Sequence, residues 1–182
     1  MDTDLILSWF SKLKRDHNFK ITSPATRQYN CIAWASGYND KWEWPTIADA
    51  LDDDTFWPEG IENSVDIESF VKNFEAKGFT KTLDATFSES KSKIALFALN
   101  GECTHACRQI DDGVWTSKLG YFQDIQHSLK SLEGRIYGRI YCIMERLDLH
   151  LPEAFRDMRE AEASGRREQT LDEFLAELKS QQ

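Results

Sequence analysis

The sequence lacks the features that define several common protein classes. None of the apolar runs in its 182 residues is long enough to cross a membrane, and acidic residues outnumber basic ones, giving a formal net charge of -9. This acidic balance makes nucleic acid and anionic membrane surfaces poor partners. A glycine-rich phosphate loop is also missing, so we expect no nucleotide and no other cofactor.

The first residues do not resemble a secretory signal, and the chain has only four cysteines. In the stretch MDTDLILSWFSKLKRD the acidic residues come first and the basic residues follow the apolar patch, which is the reverse of a secretory signal. We therefore expect a cytoplasmic protein, and delivery by a dedicated secretion system stays open. The four cysteines are expected to be thiols, which serve as core packing, metal ligands or nucleophiles.

Apolar residues are abundant enough to build a core, since 41% of the chain is hydrophobic. Residues 4–16 are predicted to form an amphipathic helix with Leu5, Trp9 and Leu13 on one face. Residues 64–77 are predicted to form a second helix that Ser64 caps and Gly78 ends. The apolar side of this second helix consists of Ile67, Phe70, Val71 and Phe74.

Beyond residue 78 the apolar period changes from helical to strand-like. The predicted strands are 79–84, 93–100, 104–110, 114–120 and 134–147. Asp111-Asp112-Gly113 is a strong signal for a hairpin between two of them. Helices followed by a run of antiparallel strands predict an α+β fold.

The composition changes again near residue 149, where Glu, Arg, Ala, Lys and Gln become dominant. We predict a domain over residues 1–148 and a helical C-terminal extension over residues 149–182. The extension is expected either to pack on the domain or to act as an interaction arm.

Two short segments carry the candidate chemistry, YNCIAWA at 29–35 and CTHACRQ at 103–109. Cys31 is predicted to begin a short buried helix, and a helix N-terminus together with an imidazolium lowers the pKa of a thiol. On a regular strand, residues 103, 105 and 107 share one face. If the helix packs on that face, Cys31 meets His105 as nucleophile and base.

A catalytic histidine needs an orienting group, and a developing oxyanion needs N–H donors. The candidates for the orienting group are Ser117, Lys118, Asp124 and His127. The backbone N–H of Cys31 is the first expected oxyanion donor, together with the side chain of Asn30 or Gln28.

The segment YNCIAWA resembles the nucleophile segment of papain-like and NlpC/P60-like cysteine hydrolases, in which a cysteine opens a helix. CTHACRQ and the hairpin that follows it resemble the second half of that fold. The blocks YNCIAWA, KWEWP, THACRQ, WTSKLG, DIQH and YGRI, over roughly residues 20–147, resemble more closely a group of bacterial domains that carry them in this order.

This resemblance implies a papain-like fold and a hydrolase that cleaves a peptide, isopeptide or amide bond through a thioester. It implies Cys31 as nucleophile, His105 as general base and Ser117 at the third position, where the related enzymes have Asn, His or Gln. Transamidation and deamidation use the same site. The substrate is expected to be a protein or peptide, and a bacterial effector or toxin of this type is expected to meet an inhibitory immunity protein. Residues expected to bind substrate or oxyanion are Asn30, Gln28, Trp34, Trp115, Lys118, Asp124 and His127.

Three alternatives remain open at this point. Cys31, Cys103, His105 and Cys107 form a possible zinc set, but ligands two residues apart on a flat strand converge poorly on one ion, and we expect no metal. The aromatic residues Trp42, Trp44, Phe56 and Trp57 form either core or a cleft wall. The third alternative to a hydrolase is a non-catalytic protein-binding module of papain-like fold. In such a module the cysteine only packs in the core, and the C-terminal helices dock on a partner.

Overall fold

The structure is a computed structural model that describes residues 3–45 and 55–148. The acidic run Asp52-Asp53-Asp54 and the predicted C-terminal extension, residues 149–182, lie outside the described residues. Within the described part, short helices pack on a mostly antiparallel sheet, which agrees with the α+β class.

The first predicted helix is shorter than expected and buries a different face. Helix α1 spans Thr3–Trp9, and a 3-10 helix follows at Ser11–Arg15. The buried side chains are Ile6, Phe10 and Leu13, while Leu5 is 43% exposed and Trp9 37% exposed. The predicted face of Leu5, Trp9 and Leu13 is therefore wrong. The α-helical period ends before Phe10, and the tighter 3-10 turn changes which residues face inward.

Two further helices follow. Helix α2 spans Cys31–Ala35, and helix α3 spans Ile67–Ala76. Helix α3 starts later than predicted because Ser64 does not cap it, and its hydroxyl instead donates to the Asp66 carboxylate at 2.8 Å. Its predicted apolar face is buried, and it ends before Gly78, whose φ of 84° suits glycine.

In the part of the chain that the structure describes, nine strands form two sheets, and all five predicted strands are present with shifted ends. The strands are β1 (Lys20–Ile21), β2 (Trp42–Glu43), β3 (Thr55–Phe56), β4 (Thr80–Thr82), β5 (Lys91–Leu99), β6 (Glu102–Asp111), β7 (Val114–Lys118), β8 (Asp124–His127) and β9 (Arg139–Leu147). The main sheet has seven antiparallel strands in the order β1-β8-β7-β6-β5-β9-β4, and β2 pairs with β3 in parallel. The predicted hairpin joins β6 to β7 through Gly113.

The main sheet has a different hydrophobic core on each face. Helices α2 and α3 cover one, which we call the α2 face, and helix α1 with its 3-10 extension covers the other, which we call the α1 face. The α2 face of strands β5 and β6 presents Ile94, Leu96, Cys103 and Ala106. The α1 face of strands β5 to β8 presents Ala95, Phe97, Cys107, Trp115 and Ile125.

A β-bulge in β6 decides which face each candidate residue occupies. Ala98 pairs with Cys103 and Phe97 pairs with His105, so Thr104 is one residue too many for a regular ladder. The Thr104 hydroxyl donates to the carbonyl of Tyr137 at 2.7 Å. As a result, Cys103 lies on the α2 face and His105 on the α1 face. The expectation that residues 103, 105 and 107 share one face is wrong.

Candidate functional site

Asn30 fixes the start of α2 with both ends of its side-chain amide. Its Oδ1 accepts from the backbone N–H of Ala33 at 3.1 Å and of Glu43 at 3.2 Å. Its Nδ2 donates to the carbonyl of Glu43 at 2.8 Å. Asn30 is thus the N-cap of α2 and its link to β2. The oxyanion-donor role of Asn30 stays a prediction, with Nδ2 already donating one hydrogen bond to Glu43.

We expect Asn30→Ala to lower the free energy of unfolding by about 1–2 kcal/mol, the upper part of the usual range for losing an N-cap, because the bonds to Glu43 are lost as well. Urea unfolding measures the change. The matched control is Asn39→Ala at an exposed position. An unchanged unfolding midpoint for Asn30→Ala would contradict the capping role.

The thiol of Cys31 is the first functional group on the α2 face. Its side chain is only 6% exposed, and burial raises its pKa to about 11. Hydrogen bonding from the backbone N–H groups of Ala106, Cys31 and Ile32 acts in the opposite direction, as does the nearby charge of Lys118. The hydrogen-bond donors around the sulfur therefore favour the thiolate, whereas burial of the side chain disfavours it.

Lys118 lies beside this thiol in a buried polar group with Tyr29 and Asp124. The Tyr29 hydroxyl donates to Asp124 Oδ2 at 2.6 Å, and Lys118 Nζ is 5.2 Å from the centre of the Tyr29 ring. Lys118 Nζ also donates to the carbonyl of Phe122. Burial lowers the pKa of Lys118, while the charges of Asp124 and Cys31 raise it. The Lys118 amine and the Cys31 thiol are thus electrostatically coupled.

Arg108 extends this polar group along strand β6. Its guanidinium lies 4.0 Å from the centre of the Trp34 ring, a cation–π contact with helix α2. The Trp34 indole N–H donates to Thr116 Oγ1 at 3.4 Å. Burial lowers the pKa of Arg108, and the charges of Asp124 and Tyr29 oppose that shift.

A second polar group, which we call the histidine relay, lies on the α1 face and consists of His105, Ser117 and His127. His127 Nδ1 is 2.9 Å from the carbonyl of Ser128, so this nitrogen carries the proton. His127 Nε2 then accepts from the Ser117 hydroxyl at 2.7 Å, and the Ser117 oxygen accepts from His105 Nε2–H at 2.8 Å. The Tyr137 ring stacks on His105, with the ring centres 4.0 Å apart.

The histidine relay is fully buried, since each of its three side chains has 0% exposure. Burial, followed by the charge of His127, holds the pKa of His105 well below its ordinary range. Burial also lowers the pKa of His127 to about 4. Both rings are therefore neutral at pH 7. His105 Nδ1 has no hydrogen-bond partner among the described residues.

A family model described as "Domain of unknown function (DUF7689)" matches residues 20–145. The chain belongs to this family. No curated protein matches the chain, and no solved structure matches it. In the part of the chain that the structure describes, no helix is long and apolar enough to span a membrane.

In this DUF7689 domain, Cys31 and His105, which we expected to be in contact, lie on opposite faces of the main sheet. Cys31 packs on the α2 face with Cys103 and Ala106, whereas the His105 ring contacts Phe97 on the α1 face. The backbone of the sheet runs between the two side chains. The expected contact between Cys31 and His105 is therefore wrong, because the bulge at Thr104 rotates the histidine away from α2.

The other predicted site residues are divided between the two faces. Lys118 acts on Cys31 through its charge, and Trp34 and Asp124 contact Tyr29 beside it, while Ser117 and His127 lie with His105. Trp115 is not at the Cys31 site, because it is buried in the core of the α1 face. Gln28 is exposed, and its backbone N–H donates to Thr26 Oγ1 at 3.2 Å.

The alternative zinc set is divided in the same way. Cys31 and Cys103 lie on the α2 face, and His105 and Cys107 lie on the α1 face. Within residues 3–45 and 55–148, no group of three or more His, Cys, Asp or Glu side chains is placed to hold a metal ion.

The aromatic residues after α2 serve two purposes. Trp44 and Trp57 each pack on Phe70, with ring centres 5.0 Å apart, and belong to the core of the α2 face. Trp42 instead stacks on Tyr121, with ring centres 4.6 Å apart. Tyr121 lies three residues after Lys118, the last residue of β7.

Sequence reasoning missed Tyr29 and Arg108, although each was inside a quoted motif. Tyr29 immediately precedes the N-cap, and its ring stacks on Trp34 with centres 5.4 Å apart. Arg108 lies three residues after His105, on the opposite face of β6. Beyond the bulge at Thr104, the even-numbered residues of β6 face α2. A sequence analysis that assumed this alternation would have identified Arg108.

Proposed function

We propose that this domain is a cysteine-dependent hydrolase of peptide, isopeptide or side-chain amide bonds, with Cys31 as nucleophile and Lys118 as base. The observation that carries the proposal is the environment of Cys31. A buried thiol begins a helix, receives backbone N–H hydrogen bonds and is coupled to a buried lysine amine. This combination suits a nucleophile that ionises only during reaction.

The opposite pKa shifts of Cys31 and Lys118 fit the proposed roles of nucleophile and base. Burial raises the pKa of the Cys31 thiol to about 11 and lowers that of Lys118, so burial favours the neutral form of both groups. A neutral amine is a competent general base, and a neutral thiol stays protonated until a carbonyl carbon arrives. His105 is not needed for this step.

The proposed reaction begins when the thiol proton moves to Lys118 Nζ as the sulfur attacks the carbonyl carbon. In this proposal the backbone N–H groups near the sulfur stabilise the oxyanion. The C–N bond then breaks, and Lys118 returns the proton to the leaving amine. Water gives a proton to Lys118 as it attacks the thioester, the C–S bond breaks, and Lys118 returns the proton to the Cys31 sulfur. An amine in place of water makes the same site a transamidase, and a glutamine side chain as substrate makes it a deamidase.

The sequence resemblance supports this proposal at the level of fold plan. A helix that begins with a cysteine and packs on an antiparallel sheet is the arrangement of papain-like and NlpC/P60-like hydrolases. The proposed base on β7 is a departure from that plan. By the same resemblance, we propose a protein or peptide substrate, a role as a bacterial effector or toxin, and an inhibitory immunity protein that covers the site.

Acylation by p-nitrophenyl acetate tests the proposal without a known substrate. We expect the full chain to gain an acetyl group on Cys31, detected by intact mass and peptide mapping. Lys118 must be neutral to act, so the rate is expected to rise with pH and level off at the pKa of Lys118, below its ordinary value of 10.5. A Cys142→Ser background removes the one cysteine that is partly exposed, since the other three are buried.

Three variants complete this test. Lys118→Met is expected to slow acylation, His105→Gln is expected to leave it unchanged, and Cys31→Ser is expected to abolish it. Loss of acylation in His105→Gln alone would restore histidine as the base. No acylation of Cys31 in the wild type at any pH would contradict the hydrolase.

The second candidate function is the non-catalytic binding module, and a specific surface favours it. Lys41 Nζ lies 3.7 Å from the centre of the Tyr38 ring and 4.7 Å from that of Phe56, and both rings are 46% exposed. Arg27 lies 5.1 Å from the centre of the exposed Tyr121 ring. Exposed aromatic rings beside cations are common in protein-binding surfaces. An inert Cys31 would favour this candidate.

A further inference from the structure

A small cavity opens at the end of α2 that is opposite to Cys31. Its volume is about 60 Å³, and its lining includes Ser36, Gly37, Lys93, Arg108, Gln109 and Arg146. Gly37 is exposed and marks the side open to solvent. Three of these six residues are basic, in a chain whose formal net charge is -9.

The three basic residues differ in how their charge is balanced. Lys93 has two carboxylate partners, Asp84 at 2.8 Å and Glu145 at 3.3 Å. In residues 3–45 and 55–148, neither Arg108 nor Arg146 has a carboxylate within ion-pair distance. The two guanidinium groups therefore lack an ion-pair partner among the described residues, and the charge of Asp124 acts on Arg108 only from beyond ion-pair distance.

Aromatic rings hold both arginines in place. Arg146 lies 4.6 Å from the centre of the Phe79 ring and donates from Nη1 to the carbonyl of Lys77 at 3.3 Å. Arg108 stacks on Trp34, and its Nη1 lies 4.0 Å from the point where a side chain at Gly37 would begin. Planar guanidinium groups fixed in this way lose little freedom when they bind an anion.

The cavity also has hydrogen-bond donors that lack an acceptor. Arg108 Nε is buried and has no hydrogen-bond partner among the described residues. Ser36 Oγ accepts from Lys77 Nζ at 2.9 Å, so its own hydrogen remains to be donated. A buried N–H without an acceptor is unfavourable, so this side chain carries an unmet demand for an acceptor.

We infer that this cavity binds a small oxyanion, a carboxylate or a phosphate group, between Arg108 and Arg146. Its volume of about 60 Å³ suits a small group of this kind. Both oxyanions match the planar donor geometry of arginine. The inference does not depend on catalysis by Cys31, so it stands or fails separately from the proposed hydrolase.

Isothermal titration of the full chain tests this inference with defined probes. The probes are inorganic phosphate, acetate, and one short peptide prepared with a free and with an amidated C-terminus, each at constant ionic strength in chloride. If the site takes a phosphate group, we expect inorganic phosphate to bind saturably. If it takes a carboxylate, we expect acetate and the peptide with a free C-terminus to bind, and the amidated peptide not to bind. These two results identify a phosphate or a peptide carboxylate as the source of the oxyanion.

Arginine variants locate the binding. Arg108→Gln and Arg146→Gln are each expected to weaken binding at least about tenfold, the usual effect of losing a charge-assisted bond, and Arg108→Lys is expected to weaken it less. Arg135→Gln, at an exposed position outside the cavity, is the matched control. Circular dichroism verifies that each variant is folded, and Arg146→Gln serves if Arg108→Gln is not. The inference would be overturned if none of the probes bound saturably, or if both cavity variants kept the full affinity of the wild type.

Discussion

Lys118→Met is expected to slow amide cleavage by about 10²–10⁴-fold, the usual contribution of a positioned general base. The substitution keeps the apolar stem of a fully buried side chain and removes only the amine. Without that amine, the proton of the Cys31 thiol has no acceptor at the moment of attack. The measurement is the rate of product formation, by mass, from peptides with backbone, isopeptide and glutamine amides. Lys91→Met, a half-buried lysine paired with Glu145 at 2.8 Å, is the matched control.

A change in pH dependence separates a base from a residue that only supports the fold. The Asp124 charge raises the pKa of Lys118, so Asp124→Asn is expected to lower that pKa and extend activity to lower pH. A purely structural role for Lys118 predicts lower activity with an unchanged pH profile. If His105→Gln abolishes cleavage and Lys118→Met does not, the base is His105, and the bulge at Thr104 must rearrange during turnover.

The general fold was predictable because its signals are local. Asp111-Asp112-Gly113 specified a hairpin, and the spacing of Ile67, Phe70, Val71 and Phe74 specified the buried side of α3. Both depend only on residues close together in the chain. The neighbourhood of His105 and Ser117 was accessible for the same reason, because the two residues lie on strands joined by that hairpin.

The face of His105 was not predictable from alternation. Alternation assumes a regular strand, and one extra residue moves every side chain beyond it to the other face. The hydroxyl of Thr104 bonds to the carbonyl of Tyr137, 33 residues further along the chain. Local sequence does not contain such a contact. The same shift explains why Arg108 was missed, since the interrupted alternation places it towards α2.

The two faces of β6 thus carry groups with different consequences for function. The α2 face has a buried thiol and a buried amine, which we propose react with a substrate, and two guanidinium groups, which we propose bind an anion. The α1 face has the histidine relay, which is sealed in the core and whose hydrogen bonds require neutral rings. This difference predicts that the relay affects stability, and that its effect depends on pH.

The stability of the domain is expected to fall steeply as the pH decreases from about 6.5 to about 4. The pKa of His127 is about 4 in the folded protein, against an ordinary 6.5, and the pKa of His105 is also well below 6.5. Between these values the unfolded chain binds protons that the folded chain cannot, so stability rises with pH and is lost on acidification. His127 alone accounts for about 3 kcal/mol of this loss. The negative charge of Asp16 partly opposes it by favouring the protonated ring.

Urea unfolding at a series of pH values measures this loss. His127→Gln removes one of the two titrating rings, so its stability is expected to depend less steeply on pH within that window, whatever its absolute stability. His17→Gln, at an exposed position, is the matched control and is expected to keep the wild-type slope. Equal slopes for the wild type and His127→Gln would mean that the ring is protonated or solvated in the folded protein. The proton positions assigned to the relay would then be wrong, because a protonated His127 donates to Ser117 instead of accepting from it.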